Sequence, residues 1–312
     1  MRIIILMFLA MICCNNTLAQ QPIYETDFDS LTLGETQSPA LAGQDGWRAG
    51  FQPGNSFSEI QDSVARCGNA FHQFTDITNT EGQQSISSRS FEAVDLSSVS
   101  ELIFEIYFYA SSSDLSARNS FTADARLDGD GVLYDISIGS GNGNIKSEVG
   151  VSIGLSMFNG TSNNIPFSPN VGQNLAWDTW HSVKLRADLQ ALEWVSITVN
   201  GQEESLEGIP LRRNSGATFP TELDQVVLQI INRENSGDET SDSIFFDNLS
   251  IRVTENRLLG DVNLDDVVNF LDIAPFIALL SSATFQFEAD IDGNGDVDFL
   301  DIAPFIAILA GQ

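Results

Sequence analysis

One nine-residue stretch occurs twice near the C-terminus. Phe270-Leu271-Asp272-Ile273-Ala274-Pro275-Phe276-Ile277-Ala278 returns letter for letter as Phe299-Leu300-Asp301-Ile302-Ala303-Pro304-Phe305-Ile306-Ala307, 29 residues later. Two identical apolar stretches in register demand two copies of one local structure, with one face of each packed repeat against repeat. Each copy follows an acidic loop, and residues 258–312 hold ten acids and no Lys or Arg. A merely solvated acidic tail would not alternate its acids with Val, Phe, Leu and Ile.

The loops carry calcium chemistry. Ca²⁺ takes about six to eight oxygen ligands, and a loop of about 12 residues supplies them from positions 1, 3, 5, 7, 9 and 12. In the first loop those positions are Asp261, Asn263, Asp265, Val267 (through its carbonyl), Asn269 and Asp272. In the second they are Asp290, Asp292, Asn294, Asp296 (carbonyl), Asp298 and Asp301. The sixth position needs a sharp turn, which Gly295 suits and Asp266 resists, so the first site is expected to be the weaker. Position 12 is Asp rather than the longer Glu of an EF-hand. Without a cation each carboxylate cluster repels itself; with one, binding free energy becomes folding free energy. About fifty residues without a disulfide rarely fold on core burial alone, so the metal is expected to be structural.

A helix is expected after each loop. Asp272 and Asp301 stand where they would cap it, and Pro275 and Pro304 then fall in the first turn, where a missing N–H costs little. Phe270, Ile273, Ile277 and Leu280 share one face, and Phe276 and Leu279 another. The helix is apolar nearly all round, so the face not used between repeats needs cover.

Two copies, the Asp at position 12, the opening Gly260-Asp261-Val262-Asn263 and one helix per loop resemble the type I dockerin module. In that module the loop is followed by a helix but lacks the helix before it. The resemblance covers residues 260–310. It implies up to two bound Ca²⁺ and attachment to a cohesin through loop positions 10 and 11. Dockerins of cellulosomes typically carry small hydroxyl residues there; this chain has Phe270-Leu271 and Phe299-Leu300, with no basic residues following. A cohesin-like or other protein partner and an intramolecular dock on the preceding domain therefore both stay open.

Before residue 255 the pattern is β. Leu102, Phe104, Ile106 and Phe108 alternate with Ile103, Glu105, Tyr107 and Tyr109. Val183, Leu185 and Ala187 make a second stripe, Val195, Ile197 and Val199 a third, Val226, Leu228 and Ile230 a fourth, and Leu249, Ile251 and Val253 a fifth. Period-two alternation marks antiparallel sheets with one dry face. Asn200-Gly201 reads as a tight hairpin turn, and Asp128-Gly129-Asp130-Gly131 as another connection. No 3.6-residue period is evident over 20–255. About ten to fourteen short strands fit a large two-sheet sandwich.

This stretch resembles the concanavalin A-like lectin/glucanase jelly roll. The residues that carry the likeness are Tyr24-Glu25-Thr26-Asp27-Phe28-Asp29, Gly43-Gln44-Asp45-Gly46-Trp47, Trp180-His181-Ser182-Val183-Lys184-Leu185, Val199-Asn200-Gly201 and Phe246-Asp247-Asn248-Leu249-Ser250-Ile251. The sandwich hosts lectins, binding modules and glycosidases, so it implies fold more than function. Members of the class often hold a structural Ca²⁺ between first and last strands, and Asp27 and Asp247 stand in matching places. The fold class is thus mainly β, an antiparallel two-sheet jelly roll, followed by a small α-helical module.

Charge and targeting narrow the setting. With 14 Lys+Arg against 43 Asp+Glu, the net charge is −29. That argues against nucleic acid and anionic membrane surfaces and suits a secreted protein or one that collects cations. Arg2, the apolar run 3–14 and Thr17-Leu18-Ala19 form a signal-peptide pattern with cleavage after Ala19; the run is too short to span a bilayer. Only Cys67 remains after cleavage, so no internal disulfide is expected, and Cys67 reads as a small buried hydrophobe. The expected division is a signal peptide at 1–19, a sandwich at 20–255 and the duplicated module at 256–312.

A glycosidase needs two carboxylates at a set separation. The Glu-x-Asp-x-x-Glu strand motif of laminarinase-like sandwiches is absent. Glu101 and Glu105 share a strand face. His72 and His181 are the only histidines. Gly139-Ser140-Gly141-Asn142-Gly143 lacks the strand-then-helix setting of a phosphate loop. Sugar binding needs aromatics, and Trp47, Trp177, Tyr107 and Tyr109 are candidates. Three readings follow. The first is a secreted, calcium-binding, non-catalytic protein whose sandwich associates with extracellular polysaccharide and whose tail mediates attachment. The second is a polysaccharide-degrading hydrolase or lyase of the same fold. The third is a structural protein of an extracellular assembly. An aromatic platform would favour the first, acids clustered in a groove the second.

Overall fold

The computed structural model describes residues 20–35, 44–49, 57–76, 84–111, 120–129, 131–139, 150–160, 164–213, 218–233, 241–255, 258–265, 267–282, 284–292, 294 and 296–310. The leader expected at 1–19, Gly43, Asp130, the glycine-rich 140–143 and the loop positions Asp266 and Gly295 lie outside the described residues.

Among the described residues, sixteen strands come first. They are β1 (Gln20–Thr26), β2 (Gly34–Glu35), β3 (Trp47–Ala49), β4 (Phe57–Gln61), β5 (Ala70–Asp76), β6 (Gln84–Asp95), β7 (Val99–Ala110) and β8 (Ser120–Gly129). There follow β9 (Val132–Gly139), β10 (Ser152–Phe158), β11 (Asn164–Phe167), β12 (Trp180–Asp188), β13 (Glu193–Val199), β14 (Gln202–Ser205), β15 (Glu222–Arg233) and β16 (Ser241–Glu255). They form two antiparallel sheets. The larger runs β14-β13-β12-β7-β16-β5-β4-β2, with β1 also paired to β16; the smaller runs β11-β10-β9-β8-β15-β6-β3. This is the two-sheet jelly roll expected from the alternation.

The core lies between the sheets. Leu102, Phe104, Ile106 and Phe108 of β7, Val183, Leu185 and Ala187 of β12, Val226, Leu228 and Ile230 of β15, and Leu249, Ile251 and Val253 of β16 are all buried. One stripe shifts phase. β12 and β13 slip register between Arg186 and Ala187, so Ala187 pairs with Trp194 rather than Val195. Trp194 takes the core place expected for Val195, which is half-buried. A bulge adds a residue to one strand and turns the side chains beyond it to the other face. Trp47, a candidate for sugar contact, is instead fully buried, with rings at 5.4 Å from Phe71 and 6.0 Å from Phe28. Its indole Nε1–H donates to Tyr24 Oη at 3.0 Å.

Several polar groups inside bond across the strands. Ser58 Oγ bonds to both Ser85 Oγ and Ser87 Oγ at 2.9 Å, and Gln73 Nε2 donates to the Leu228 carbonyl at 2.8 Å, which ties β4, β5, β6 and β15 together. Asn200 and Gly201 hold φ of 52° and 81°, as a tight hairpin turn between β13 and β14 requires. Cys67, expected to be buried, is exposed.

After the sandwich come two short helices, α1 (Ile273–Ser282) and α2 (Ile302–Leu309). Phe276 of α1 stacks on Phe305 of α2 at 4.2 Å. With Val262, Ala289 and Val297 they make a second core that shares no residue with the first. These two phenylalanines are the same position of the repeat, so each copy covers the other.

Candidate functional site

The two loops before the helices have the same hydrogen-bond plan. In the first, Asp272 accepts from the backbone N–H of Asn263 at 2.9 Å and of Asn269 at 2.8 Å. In the second, Asp301 accepts from Ile291 at 2.7 Å, Asp292 at 3.0 Å and Asp298 at 2.8 Å. Asp261 accepts from Asp265 N–H at 3.0 Å, and its counterpart Asp290 from Asn294 N–H at 3.1 Å. Asp261, Asp272, Asp290 and Asp301 are all buried. Four carboxylates drawn inward by loop amides define the floor of two oxygen-lined loops.

The aspartates at position 12 do not cap the helices as expected. Asn269 caps the turn leading into α1, its side chain accepting from Leu271 N–H at 2.7 Å, and Asp272 completes a capping box as third residue of that turn. Asp301 precedes α2 without any side-chain cap. The physical reason is competition. Each carboxylate can serve the helix N-terminus or the loop amides, and the loop amides hold it.

The second loop brings Asp290, Asp292 and Asp301 together, one carboxylate oxygen of each lying within 4.8 Å of the others. A hard cation suits such a donor set, since oxygen ligands at 2.3–2.6 Å span about that separation. At positions 1, 3, 5, 9 and 12 the first loop carries three carboxylates (Asp261, Asp265, Asp272) and the second four (Asp290, Asp292, Asp298, Asp301). Val267 and Asp296, expected to offer carbonyls, are exposed at the rims; Asp265, Asn269, Asn294 and Asp298 accept backbone N–H bonds within the same two loops.

Beside each loop lies an uncovered apolar pair. Phe270 is 78% exposed and Leu271 67%; Phe299 is 82% exposed and Leu300 64%. Ile277 and Ile306, one turn into each helix, are also exposed. The face that needed cover is bare in both copies.

On the sandwich, Asp27 and Asp247, which the jelly-roll resemblance sets together, have different surroundings. Asp27 is exposed and accepts from Asp29 N–H at 3.1 Å. Asp247 is fully buried, and burial, with the charge of Asp29 added, pushes its carboxyl up to about 6 despite backbone bonds from Asn248 and Arg66. Asp29, two residues beyond the expected one, is the acid whose field reaches Asp247. Glu101 is taken up by Arg186, whose Nε donates to it at 2.7 Å. Glu105 lines a cleft of about 400 Å³ with Glu25, Asp27, Tyr107, Ser250 and Arg252. His181 is buried between the Ala176 carbonyl and the Asn200 amide, at 2.8 and 2.9 Å. Trp177 is half-buried against the core. Tyr107 lies beneath the Arg66 guanidinium, 3.9 Å from its ring centre, and Tyr109 donates from its hydroxyl to Asp178 at 3.3 Å. Trp180 escaped the sequence reading; the signal was its place opposite Val183 in the alternation, on the wet side.

The Dockerin type I domain family matches residues 259–309. No curated protein matches the chain. Among solved structures, alginate lyase Aly36B has 13% identity and a TM-score of 0.50, covering 76% of this chain and 99% of its own. A GH131 β-glucanase catalytic domain from Podospora anserina has 12% identity and a TM-score of 0.44, covering 76% and 99%. An endo-β-1,4-glucuronan lyase from the fungus Trichoderma reesei has 13% identity and a TM-score of 0.43, covering 66% and 91%. At such identities the likeness to Aly36B is one of fold. Residues 259–309 of this chain are a dockerin type I domain, joined to a jelly-roll sandwich.

Proposed function

We propose that this is a secreted, calcium-binding protein of two modules, in which a sandwich that associates with extracellular polysaccharide is attached to an assembly by its dockerin tail. The observation that carries the reading is the pair of bare Phe–Leu steps, Phe270-Leu271 and Phe299-Leu300, at equivalent positions beside two acid-floored loops. In such a protein residues 1–19 are the leader, removed after Ala19. Two Ca²⁺ fold the tail, one held by Asp261, Asn263, Asp265, Val267, Asn269 and Asp272, the other by Asp290, Asp292, Asn294, Asp296, Asp298 and Asp301. The second is the tighter, because Gly295 suits the sharp turn at position 6 that Asp266 resists. A third ion in the sandwich would sit at Asp247, where a cation offsets the cost of a buried carboxylate.

The partner chemistry is apolar. Exposed Phe and Leu with no Lys or Arg nearby call for a cohesin-like protein with a hydrophobic face rather than one read by hydroxyls and charge. Calorimetric titration of the full chain against a panel of cohesins should show binding in calcium and none in chelator. Because the two steps are equivalent, Phe270→Ser or Phe299→Ser alone should leave binding within about threefold, and the double variant should lose it. Loss in chelator without loss in the double variant would rule out these steps as the docking face.

A second reading is favoured by the cleft. Three carboxylates with Tyr107 and Arg252 are groups a polysaccharide hydrolase or lyase can use. A glycan array run beside reducing-end and unsaturated-product assays separates the readings. Turnover that disappears in Glu105→Gln would replace the non-catalytic reading.

A further inference from the structure

Four ring-bearing side chains stand in one row across the outer face of the larger sheet. Trp180 of β12 pairs with Tyr109 of β7, Tyr109 with Phe245 of β16, and Phe245 with His72 of β5; Glu59 of β4 ends the row. Their ring centres are 5.7, 5.6 and 4.2 Å apart in that order. Alternation puts them outward, since their sequence neighbours Phe71, Phe108, Ile244 and Phe246 are in the core. Strands sit about 4.8 Å apart, so the row spans about 19 Å.

The two halves of the row differ. His72 and Phe245 stack at 8° and are nearly buried. Glu59 accepts from His72 Nδ1 at 2.8 Å, and Nε2 lies 3.2 Å from Ser243 Oγ, so this half is a fixed wall. Tyr109 turns 84° from Phe245, and Trp180 tilts 54° from Tyr109. Both are half-buried and keep open ring surface. The core does not need these rings, because the inner face of the same strands is already apolar.

Charge selects what could lie there. The row contains no Lys or Arg; Glu59 ends it and Asp178 flanks Tyr109, in a chain of net charge −29. The neighbouring Arg66 is engaged by the Tyr107 ring. A polyanion is repelled by such a strip. A protein interface of ordinary size covers about 800 Å² per partner, which a strip one residue wide does not offer. A neutral, extended polysaccharide fits both features, with C–H faces for the rings and hydroxyls for the carboxylates.

We propose that Trp180 and Tyr109, backed by Phe245 and His72, form a binding strip for a neutral, extended polysaccharide. Asp178 and Glu59 accept hydrogen bonds from its hydroxyls. This rests on the polysaccharide-associating reading of the sandwich and gives it a place and a ligand class.

The test uses the full chain in native gels cast with hydroxyethylcellulose, galactomannan or alginate, with acrylamide quenching of tryptophan fluorescence alongside. Retardation by a neutral polymer and not by alginate is expected. Trp180→Ala and Tyr109→Ala should each weaken it about tenfold with an unchanged thermal melt, while Gln225→Ala, on the other sheet, should not. If alanine unfolds the sheet, Trp180→Phe decides: protection from acrylamide by the polymer must disappear in it, and its persistence overturns the strip. Wild-type binding by both alanine variants overturns the strip but leaves the polysaccharide reading standing. Preference for alginate overturns the ligand class. Binding to no polysaccharide overturns strip and reading together.

Discussion

Asp272 and Asp301 show how one carboxylate can be wanted in two places. Each sits where a helix cap would serve, yet each points back to accept two or three loop amides. That choice was not legible in the sequence, because an Asp before Ile-Ala-Pro satisfies the capping rule as well as the loop rule. The loop spacing itself was legible, because metal ligation fixes residue type at alternate positions. Asp301→Ala removes a buried acceptor for three N–H groups and one candidate ligand together. It should weaken the tighter calcium site by more than about tenfold, measured by calorimetry. Unchanged affinity would show that position 12 is not a ligand. Asp301→Asn keeps an oxygen for the amides but loses charge, so it should fall between the two.

The repeated string places one phenylalanine inward on each of helices α1 and α2 and one outward in the turn before it, and the two should behave oppositely. Phe276→Ala opens a cavity against Phe305 and should cost the calcium-loaded tail about 3–4 kcal/mol in chemical denaturation. Phe270→Ser, at a residue 78% exposed, should change stability by less than about 0.5 kcal/mol. Equal losses would mean that Phe270 is covered in solution. Among the strands, alternation was readable where one face is dry, as in β7, β12 and β16. It failed at Trp194, because a bulge depends on the partner strand and leaves no mark in the strand's own sequence. It was silent on β6, whose inward Ser85 and Ser87 bond to Ser58 instead of forming an apolar stripe. The aromatic row was half visible. Tyr109 stood out of an alternating strand, whereas Phe245 lay in the run Ile244-Phe245-Phe246, where no single face can be assigned.

The chain carries two cores that differ in what they need to form. The sandwich core joins strands far apart in sequence and is large enough to fold without the tail. Residues 20–255 expressed alone should therefore melt cooperatively, within about 3 °C of the same transition in the full chain; absence of a cooperative transition would show that the tail completes the sandwich. The tail core is five buried residues with a few partners, set between two clusters of buried carboxylates. Burial of that size does not offset chain entropy and carboxylate repulsion in about fifty residues, so the account requires metal. The most direct measurement is a calcium titration of residues 258–312, followed by calorimetry and far-ultraviolet circular dichroism. The account predicts little helix in chelator, helix appearing with calcium, and two binding steps with the second loop filling first. Equal helix content with and without calcium would contradict it.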